Sequence, residues 1–264
     1  MCGRIRRDNV VVVRKIEIAE SREELNRRAA EHFVRIAQDA ITNNGHFTVA
    51  LAGGSTPGSL YQLLASPEYR TRIDWSRVYF FFGDERCVPP TSEDSNYRMA
   101  KESILEPQGI DHANVFRWRT ELDNPEKIAE DYERTIRRVF REIDNPFVGD
   151  DIPTFDLILL GMGADGHTAS LFPFSPALRE NDKIAAANHV EKLDADRVTL
   201  TFPILNHAAN VIFLISGEDK AETLAEVLQG EFDPDKLPSQ EVEPLEGTLL
   251  WVADKAAAKH LKPT

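Results

Sequence analysis

Short apolar runs alternate with helical segments along most of the chain, and this alternation constrains the fold more than any other feature of the sequence. The runs are apolar on both faces, which is typical of parallel strands with helices packed on either side. They cover residues 47–52, 78–82, 155–160, 198–202, 211–215 and 249–252. The sequence therefore predicts an α/β fold built on a doubly wound, mostly parallel sheet with helices on both faces.

Helix signals fill the intervals between these runs. Ser21 and Glu24 have the spacing of a capping box, which predicts a helix that begins at about residue 22. The apolar periodicity of that helix stops at Asn43-Asn44-Gly45. Pro57 is placed to begin a second helix, because proline is favoured in a first helical turn. Two further helices are predicted over residues 126–142 and 219–228.

Two stretches rich in Pro, Asp and Glu, residues 143–153 and 231–247, are predicted to be surface loops. Neither is interpreted as a domain linker, because the chain on neither side of it could bury a full core alone. No internal repeat is visible. We therefore expect residues 1–264 to form a single α/β domain.

The balance of charge limits the kinds of partner. Lys and Arg total 31 and Asp and Glu total 44, so the formal net charge is −13. A nucleic-acid backbone requires a basic surface, and so nucleic acid is not expected as a partner. A few local donors can still bind one small anion against the overall field.

Metal binding and membrane insertion are not expected either. Cys2 and Cys87 cannot form a disulfide framework or a four-ligand zinc site. No apolar run approaches the roughly 18 residues that span a bilayer, and Val10–Val13 is too short for the core of a signal peptide. We expect a cytoplasmic, metal-free protein that is a monomer or a small homo-oligomer.

Three turns that follow predicted strands carry unusual residues, and the first is Gly53-Gly54-Ser55-Thr56-Pro57. Glycines allow close approach to an anion, the two hydroxyls donate hydrogen bonds, and the following helix adds free N–H groups. An ordinary tight turn with Thr56 as helix N-cap explains most of the same residues. The segment lacks the Gly-Lys-Ser/Thr element of a P-loop, so hydrolysis of nucleoside triphosphates is disfavoured.

The second turn is Gly83-Asp84-Glu85-Arg86, with two acids and a guanidinium at a strand end. Alone, it is more typical of a solvated charged turn or a local ion pair than of a functional site. The neighbouring Cys87 could have a lowered thiol pKa beside Arg86, although a buried bystander is the simpler interpretation.

The third turn, residues 161–167 (GMGADGH), matches the G-x-G-x-x-G pattern of dinucleotide sites. We reject that interpretation, because Asp165 would face the pyrophosphate and Pro173 and Pro176 interrupt the long helix that it requires. The glycines instead present Asp165 and His167 at the carboxyl edge of the sheet. Histidine is the side chain best suited to proton transfer near neutral pH, although a structural histidine is the alternative.

Together the three turns resemble the 6-phosphogluconolactonases in order and spacing over nearly the whole chain. The matching segments are residues 51–57 (LAGGSTP), 83–86 (GDER) and 161–173 (GMGADGHTASLFP). The resemblance implies a Rossmann-like fold without a dinucleotide, a metal or another cofactor. It also implies hydrolysis of 6-phospho-D-glucono-1,5-lactone to 6-phosphogluconate, the second step of the oxidative pentose phosphate pathway.

The chemistry of a lactone suits these residues, because an activated ester needs one general base and stabilisation of charge. We assign His167 as the base that activates water, and Arg86 as the cation that stabilises the intermediate or holds the substrate. Asp165 either orients His167 or binds sugar hydroxyls.

The resemblance also implies a site for the 6-phosphate. The first turn, residues Gly53, Gly54, Ser55 and Thr56, would hold that group. Arg197 and Lys220 are interpreted as its basic partners, and ordinary surface cations are the alternative for both.

Two other functions stay open. The related glucosamine-6-phosphate deaminases share the sugar-phosphate loop and a similar Asp-Gly-His segment. They carry an Asn-Glu-Pro type ending where this chain has Leu171-Phe172-Pro173, so the acid that assists their histidine is missing here. A non-catalytic sugar-phosphate sensor is the second alternative, but such sensors carry an additional DNA-binding module for which this acidic chain has no room.

Overall fold

The computed structural model describes residues 2–7, 10–143 and 152–262. Its strands are β1 (Cys2–Arg7), β2 (Val10–Ala19), β3 (Phe47–Leu51), β4 (Val78–Phe82), β5 (Asp84–Arg86), β6 (Leu157–Leu160), β7 (Ala185–Val190), β8 (Ala195–Leu200), β9 (Asn210–Ile215) and β10 (Thr248–Asp254). Its α-helices are α1 (Arg22–Asn44), α2 (Ser55–Leu64), α3 (Asn96–Ala100), α4 (Glu106–Gln108), α5 (Pro125–Ile143), α6 (Phe202–Leu205) and α7 (Ala221–Gln229). In the described part of the chain, no helix combines the length and apolarity needed to cross a bilayer.

The main sheet has seven strands in the order β1-β2-β10-β9-β6-β3-β4. The pairings from β2 to β4 are all parallel, and β1 adds an antiparallel edge to β2. The crossovers through α1 and α2 run towards β4, whereas the later connections, including α7, run back towards β2. Because crossovers between parallel strands are right-handed, the two directions place helices on opposite faces. The predicted doubly wound, mostly parallel sheet is confirmed.

The two directions of winding diverge between β3 and β6, which are neighbours in the sheet. In open α/β sheets this switch point opens a crevice outside the carboxyl ends of the strands. The turns that carry Gly53 and Gly161 leave the sheet at this place.

One predicted strand of the parallel sheet is misplaced. The apolar run at residues 198–202 contributes to β8, which belongs to a separate three-stranded antiparallel sheet of order β5-β8-β7. Val198, Thr199 and Leu200 are fully buried, so a pattern of burial cannot tell this strand from one in a parallel sheet. Thr201 leaves the strand, and Phe202 begins α6.

Helix α1 confirms the helix predicted from the capping box. The Ser21 hydroxyl accepts a hydrogen bond from the backbone N–H of Glu24 at 3.3 Å, and the Glu24 carboxylate accepts one from the N–H of Glu20 at 2.7 Å. At the other end Gly45 has a φ of 84°, a left-handed conformation that glycine adopts without strain.

The other predicted helices are found as α2, α5 and α7. The predicted loop at 231–247 is irregular except for a 3-10 turn at Pro238–Glu241. Most of the loop predicted at 143–153, residues 144–151, lies outside the described residues. Strand β2 was not predicted, because Arg14, Lys15 and Glu17 interrupt its apolar pattern.

Candidate functional site

The three unusual turns converge on a cavity of about 550 Å³ at the carboxyl ends of β3, β4 and β6. We call this the histidine cavity. Among its lining residues are Gly53, Gly54, Asp84, Arg86, Asn96, Gly163, Asp165, His167, Ser170, Phe172, Lys192, Arg197 and Lys220. A second cavity of about 450 Å³, the glycine-loop cavity, is lined by Arg22, Ser55, Thr56, Pro57, Ser216, Gly217 and Asp219. Both cavities also share Gly53, Gly54, Gly161, Met162 and Lys220 as lining residues.

The first turn is fixed at both of its ends. The buried Tyr61 hydroxyl accepts from the Ala52 N–H and donates to the Ala52 carbonyl, both at 2.9 Å. This pair of bonds satisfies backbone groups that no longer have a strand partner after β3. Gly54 has a φ of 97° and is the N-cap of α2. Helix α2 begins at Ser55, so the alternative in which Thr56 is the N-cap is wrong.

Gly53 is required by close packing rather than by its backbone angles. A Cβ at Gly53 would lie 2.0 Å from Oδ1 of Asn96, whose side chain is buried against the loop. The Asn96 amide also donates to the Asp84 carbonyl at 3.0 Å and to the Asp84 carboxylate at 3.1 Å. Asn96 therefore links the turn after β3 to the turn after β4.

His167 and Asp165 form a hydrogen-bonded dyad. Nδ1 of His167 lies 2.5 Å from Oδ1 of Asp165, and the imidazole stacks on Phe172 with ring centroids 4.1 Å apart. The turn that presents them closes through a bond from the Gly163 N–H to the His167 carbonyl at 2.8 Å. A Cβ at Gly163 would lie only 2.1 Å from Nδ1 of His167, so the dyad fits because that residue is glycine.

The electrostatics of the dyad fix the tautomer of its histidine. The hydrogen bond from His167 holds the pKa of the Asp165 carboxyl well below its usual range, and Lys192 at 3.7 Å acts in the same direction. An ionised carboxylate only accepts hydrogen bonds, so Nδ1 of His167 carries the proton and donates it. The other ring nitrogen, Nε2, is then the basic one. No residue in the described ranges forms a hydrogen bond with Nε2.

The second turn places two carboxylates inside the protein. Glu85 accepts hydrogen bonds from the backbone N–H groups of Arg86, Asn96 and Tyr97, each at 2.8 Å. Burial raises the pKa of Glu85, while these donors oppose the shift. The Glu85 side chain is 2% exposed and does not line the histidine cavity. Its contacts hold the turn in place.

Asp84 lines the histidine cavity and accepts a 2.6 Å hydrogen bond from the Ser170 hydroxyl. Ser170 lies three residues after His167, so this bond ties the second turn to the third. With the contacts of Asn96, the three turns form one hydrogen-bonded unit. Such support keeps reactive side chains in a fixed geometry.

Two arginines on neighbouring strands line the wall of the cavity. Arg86 of β5 is the direct partner of Arg197 of β8 in the antiparallel register. Burial lowers the pKa of Arg197, and the neighbouring positive charge of Arg86 lowers it further. Arg86 is oriented by a hydrogen bond to the Asp94 carbonyl. The pair makes this wall favourable for an anionic group.

The thiol of Cys87 is not activated. Burial raises the pKa of Cys87 to about 11, and Asp196 contributes in the same direction. A protonated thiol is a poor nucleophile. The interpretation of Cys87 as a bystander is therefore supported over that of a reactive cysteine.

Every residue assigned to the site from the sequence lines at least one of the two cavities. His167, Asp165, Arg86 and Arg197 line the histidine cavity. Ser55 and Thr56 line only the glycine-loop cavity, so Arg197 does not share a cavity with these hydroxyls. Gly53, Gly54 and Lys220 line both cavities and mark the boundary between them.

Sequence reasoning missed Asn96, Lys192 and Arg22 as lining residues. Ser95 is the N-cap of α3, and this cap before Asn96 was the available signal for a structured turn there. Lys192 lies at the β7–β8 connection, and nothing in its local sequence distinguishes it from a surface lysine. Within the residues that the structure describes, no group of three or more His, Cys, Asp or Glu side chains is arranged to hold a metal ion.

Comparison with known sequences identifies the family. Residues 20–251 match the family model described as glucosamine-6-phosphate isomerases/6-phosphogluconolactonase. A 6-phosphogluconolactonase from Synechocystis sp. is 39% identical over 224 residues, which cover 85% of this chain and 88% of that protein. A probable 6-phosphogluconolactonase 2 from Oryza sativa subsp. indica is 36% identical over 255 residues, which cover 94% of this chain and 90% of that protein.

Solved structures agree with the sequence comparison. The 6-phosphogluconolactonase from Trypanosoma cruzi superposes with a TM-score of 0.82 at 29% identity, covering 97% of this chain and all of that one. The 6-phosphogluconolactonase from Thermotoga maritima gives a TM-score of 0.76 at 32% identity, covering 91% of this chain and 99% of that one. The chain belongs to the family of glucosamine-6-phosphate isomerases and 6-phosphogluconolactonases.

Proposed function

We propose that this protein hydrolyses 6-phospho-D-glucono-1,5-lactone to 6-phosphogluconate, the second step of the oxidative pentose phosphate pathway. The observation that carries the proposal is the dyad: Asp165 fixes Nδ1 of His167 and leaves Nε2 as a base in the histidine cavity. The relatives named 6-phosphogluconolactonase, at 35–39% identity over most of the chain, support the same substrate.

The reaction begins with activation of water. Nε2 of His167 takes a proton from a water molecule as its oxygen bonds to C1 of the lactone, and the carbonyl electrons move to the oxygen of that carbonyl. Asp165 stabilises the imidazolium that forms and keeps the ring oriented, as the 2.5 Å contact supports. The guanidinium of Arg86 lies in the same cavity and stabilises the oxyanion.

Collapse of the tetrahedral intermediate breaks the bond between C1 and the ring oxygen. The protonated His167 returns its proton to that oxygen, so the ring leaves as an alcohol and the histidine is ready for another cycle. The new carboxylic acid loses its proton to solvent. The balance of atoms requires only lactone and water, so we propose a reaction without a metal or another cofactor.

The 6-phosphate is proposed to lie at the boundary of the two cavities. Lys220, Gly53 and Gly54 line both of them, Ser55 and Thr56 line the glycine-loop cavity, and Arg197 lines the histidine cavity. The N-terminus of α2 adds backbone N–H groups with a favourable dipole. A phosphate held there would place the sugar ring in the histidine cavity.

A direct test measures two activities of the purified protein. We expect clear acceleration of hydrolysis of freshly generated lactone after the spontaneous rate is subtracted, and no change on addition of EDTA. We expect no ammonia from glucosamine 6-phosphate, because residues 168–173 provide no acid beside His167. Ammonia release without lactonase activity would reverse the assignment to the deaminase alternative, and neither activity would favour a sugar-phosphate sensor.

The role of Arg197 is tested by comparing two substrates. Arg197→Ala should raise KM for the phosphorylated lactone and leave hydrolysis of unphosphorylated gluconolactone unchanged, since the phosphate does not react. Arg179→Ala is the matched control, because Arg179 is exposed and pairs with Asp235 away from both cavities. An equal loss on both substrates would remove Arg197 from the phosphate site.

A further inference from the structure

Arg22 contacts both hydroxyls of the glycine loop although it is 33 residues away in the sequence. Nη2 of Arg22 donates to Oγ of Ser55 at 2.7 Å and to Oγ1 of Thr56 at 3.2 Å. The guanidinium lines the glycine-loop cavity with Lys220. The proposed reaction and phosphate subsite do not use this side chain.

Helix stability does not explain an arginine at this position. Arg22 is the first residue of α1, where the helix dipole disfavours a positive charge. Other arginines of the same helix have acidic partners: Arg28 pairs with Glu24, and Arg35 pairs with Asp39. Arg22 forms no ion pair with any carboxylate of the described residues, so its charge is available to a ligand.

The charge balance of the glycine-loop cavity favours an anionic ligand beside Arg22. Nζ of Lys220 lies 3.1 Å from the carboxylate of Asp219, which also lines this cavity. That carboxylate offsets the charge of Lys220. Arg22 therefore supplies the excess positive charge that a phosphate dianion requires on this side of the loop.

We infer that Arg22 is a further binding residue for the 6-phosphate of the substrate. A guanidinium has five N–H donors in a planar fork, and only Nη2 is engaged by the two hydroxyls. The remaining donors form charge-assisted hydrogen bonds to phosphate oxygens. Because Arg22 occupies lone pairs of Ser55 and Thr56, the hydroxyl hydrogens of these residues point to other acceptors, which the same phosphate provides.

The inference rests on the proposed phosphate subsite, and it is tested with inorganic phosphate alone as well as with substrate. Isothermal titration measures the Kd of phosphate for the wild type, Arg22→Gln, Arg22→Lys and the control Arg35→Gln. Arg35 is 62% exposed on the same helix, so its variant matches the change in net charge. We expect Arg22→Gln to raise the Kd roughly 10-fold or more, the usual worth of a charge-assisted contact. The phosphate Kd of Arg22→Lys should lie between those of the wild type and Arg22→Gln, since lysine keeps the charge and loses the planar fork of donors.

Kinetics and stability then separate binding from structure. We expect Arg22→Gln to raise KM for the phosphorylated lactone, to leave kcat unchanged, and to leave the melting temperature at or above that of the wild type. Equal phosphate Kd values for Arg22→Gln and Arg35→Gln would overturn the inference while leaving the lactonase assignment intact. If Arg22→Gln binds phosphate more weakly than Arg35→Gln but the wild-type protein has no lactonase activity, Arg22 remains a phosphate-binding residue and the proposed function is refuted.

Discussion

Gly163→Ala should disturb the geometry of the Asp165–His167 dyad without removing any reacting group. A Cβ at this position would lie 2.1 Å from Nδ1 of His167 and 2.6 Å from Oδ1 of Asp165. Both distances are far below van der Waals contact, so at least one partner of the 2.5 Å hydrogen bond has to move. Gly163 does not have a positive φ, so alanine introduces no backbone strain of its own.

The size of the effect follows from these distances. Restoring ordinary contact with the new methyl group requires the imidazole to move by on the order of 1 Å, and a displacement of that size costs about 10²-fold in rate. Inserting a methyl group into a packed site also costs about 1–3 kcal/mol of stability. A domain with about 5–15 kcal/mol of stability remains folded after such a loss, so the rate can be measured.

Gly161→Ala is the matched control in the same turn. A Cβ at Gly161 meets no atom within 4 Å, and this glycine also has no positive φ. At saturating lactone, kcat corrected for the spontaneous reaction should fall by about 10²-fold in Gly163→Ala and stay near wild type in Gly161→Ala. Gly161 lines both cavities, so its added methyl group is expected to change KM instead. Equal kcat values for the two variants, with both proteins folded by circular dichroism, would show that a methyl group at residue 163 does not disturb the dyad.

Three more predictions concern Tyr61, Cys87 and Asp165. Tyr61→Phe leaves the buried N–H and carbonyl of Ala52 unpaired, and urea unfolding should show a loss of about 1–3 kcal/mol; no loss would contradict this. Because burial raises the pKa of Cys87 to about 11, iodoacetamide should label Cys87 slowly at neutral pH in the native protein and quickly after unfolding. Rapid native labelling, located by peptide mapping, would contradict that value. Asp165→Asn should lower kcat by about 10²–10⁴-fold, because Nδ1 of His167 loses the carboxylate that orients the ring and stabilises its protonated form. A wild-type kcat in the folded variant would show that Asp165 does not act on His167.

The parallel sheet could be predicted because its strands are buried on both faces and bounded by clear turns. The run at 198–202 shows the limit of that argument, since residues 198–200 of β8 are equally buried but the strand pairs with β5 and β7 in an antiparallel sheet. Which sheet a buried run joins depends on partners far away in the sequence. Local periodicity carries no information about those partners.

The candidate site was predictable where single turns carry several polar residues in a glycine-rich setting. Asp165 and His167 are two residues apart, so their contact follows from the local turn. Arg22 and Asn96 reach the site from other elements, and their side chains become relevant only when α1 and α3 pack beside the turn after β3. Such contacts are set by the tertiary fold, and the sequence around each residue does not reveal them.

His167 is proposed as the base that activates water in the hydrolysis of the phosphorylated lactone. The most direct test compares kcat for lactone hydrolysis in the wild type and in His167→Ala, together with the Kd of 6-phosphogluconate for each protein. A positioned general base contributes about 10²–10⁴-fold, so kcat should fall by that factor while the Kd of the product changes little. A folded His167→Ala protein that hydrolyses the lactone at the wild-type rate would exclude His167 as the general base.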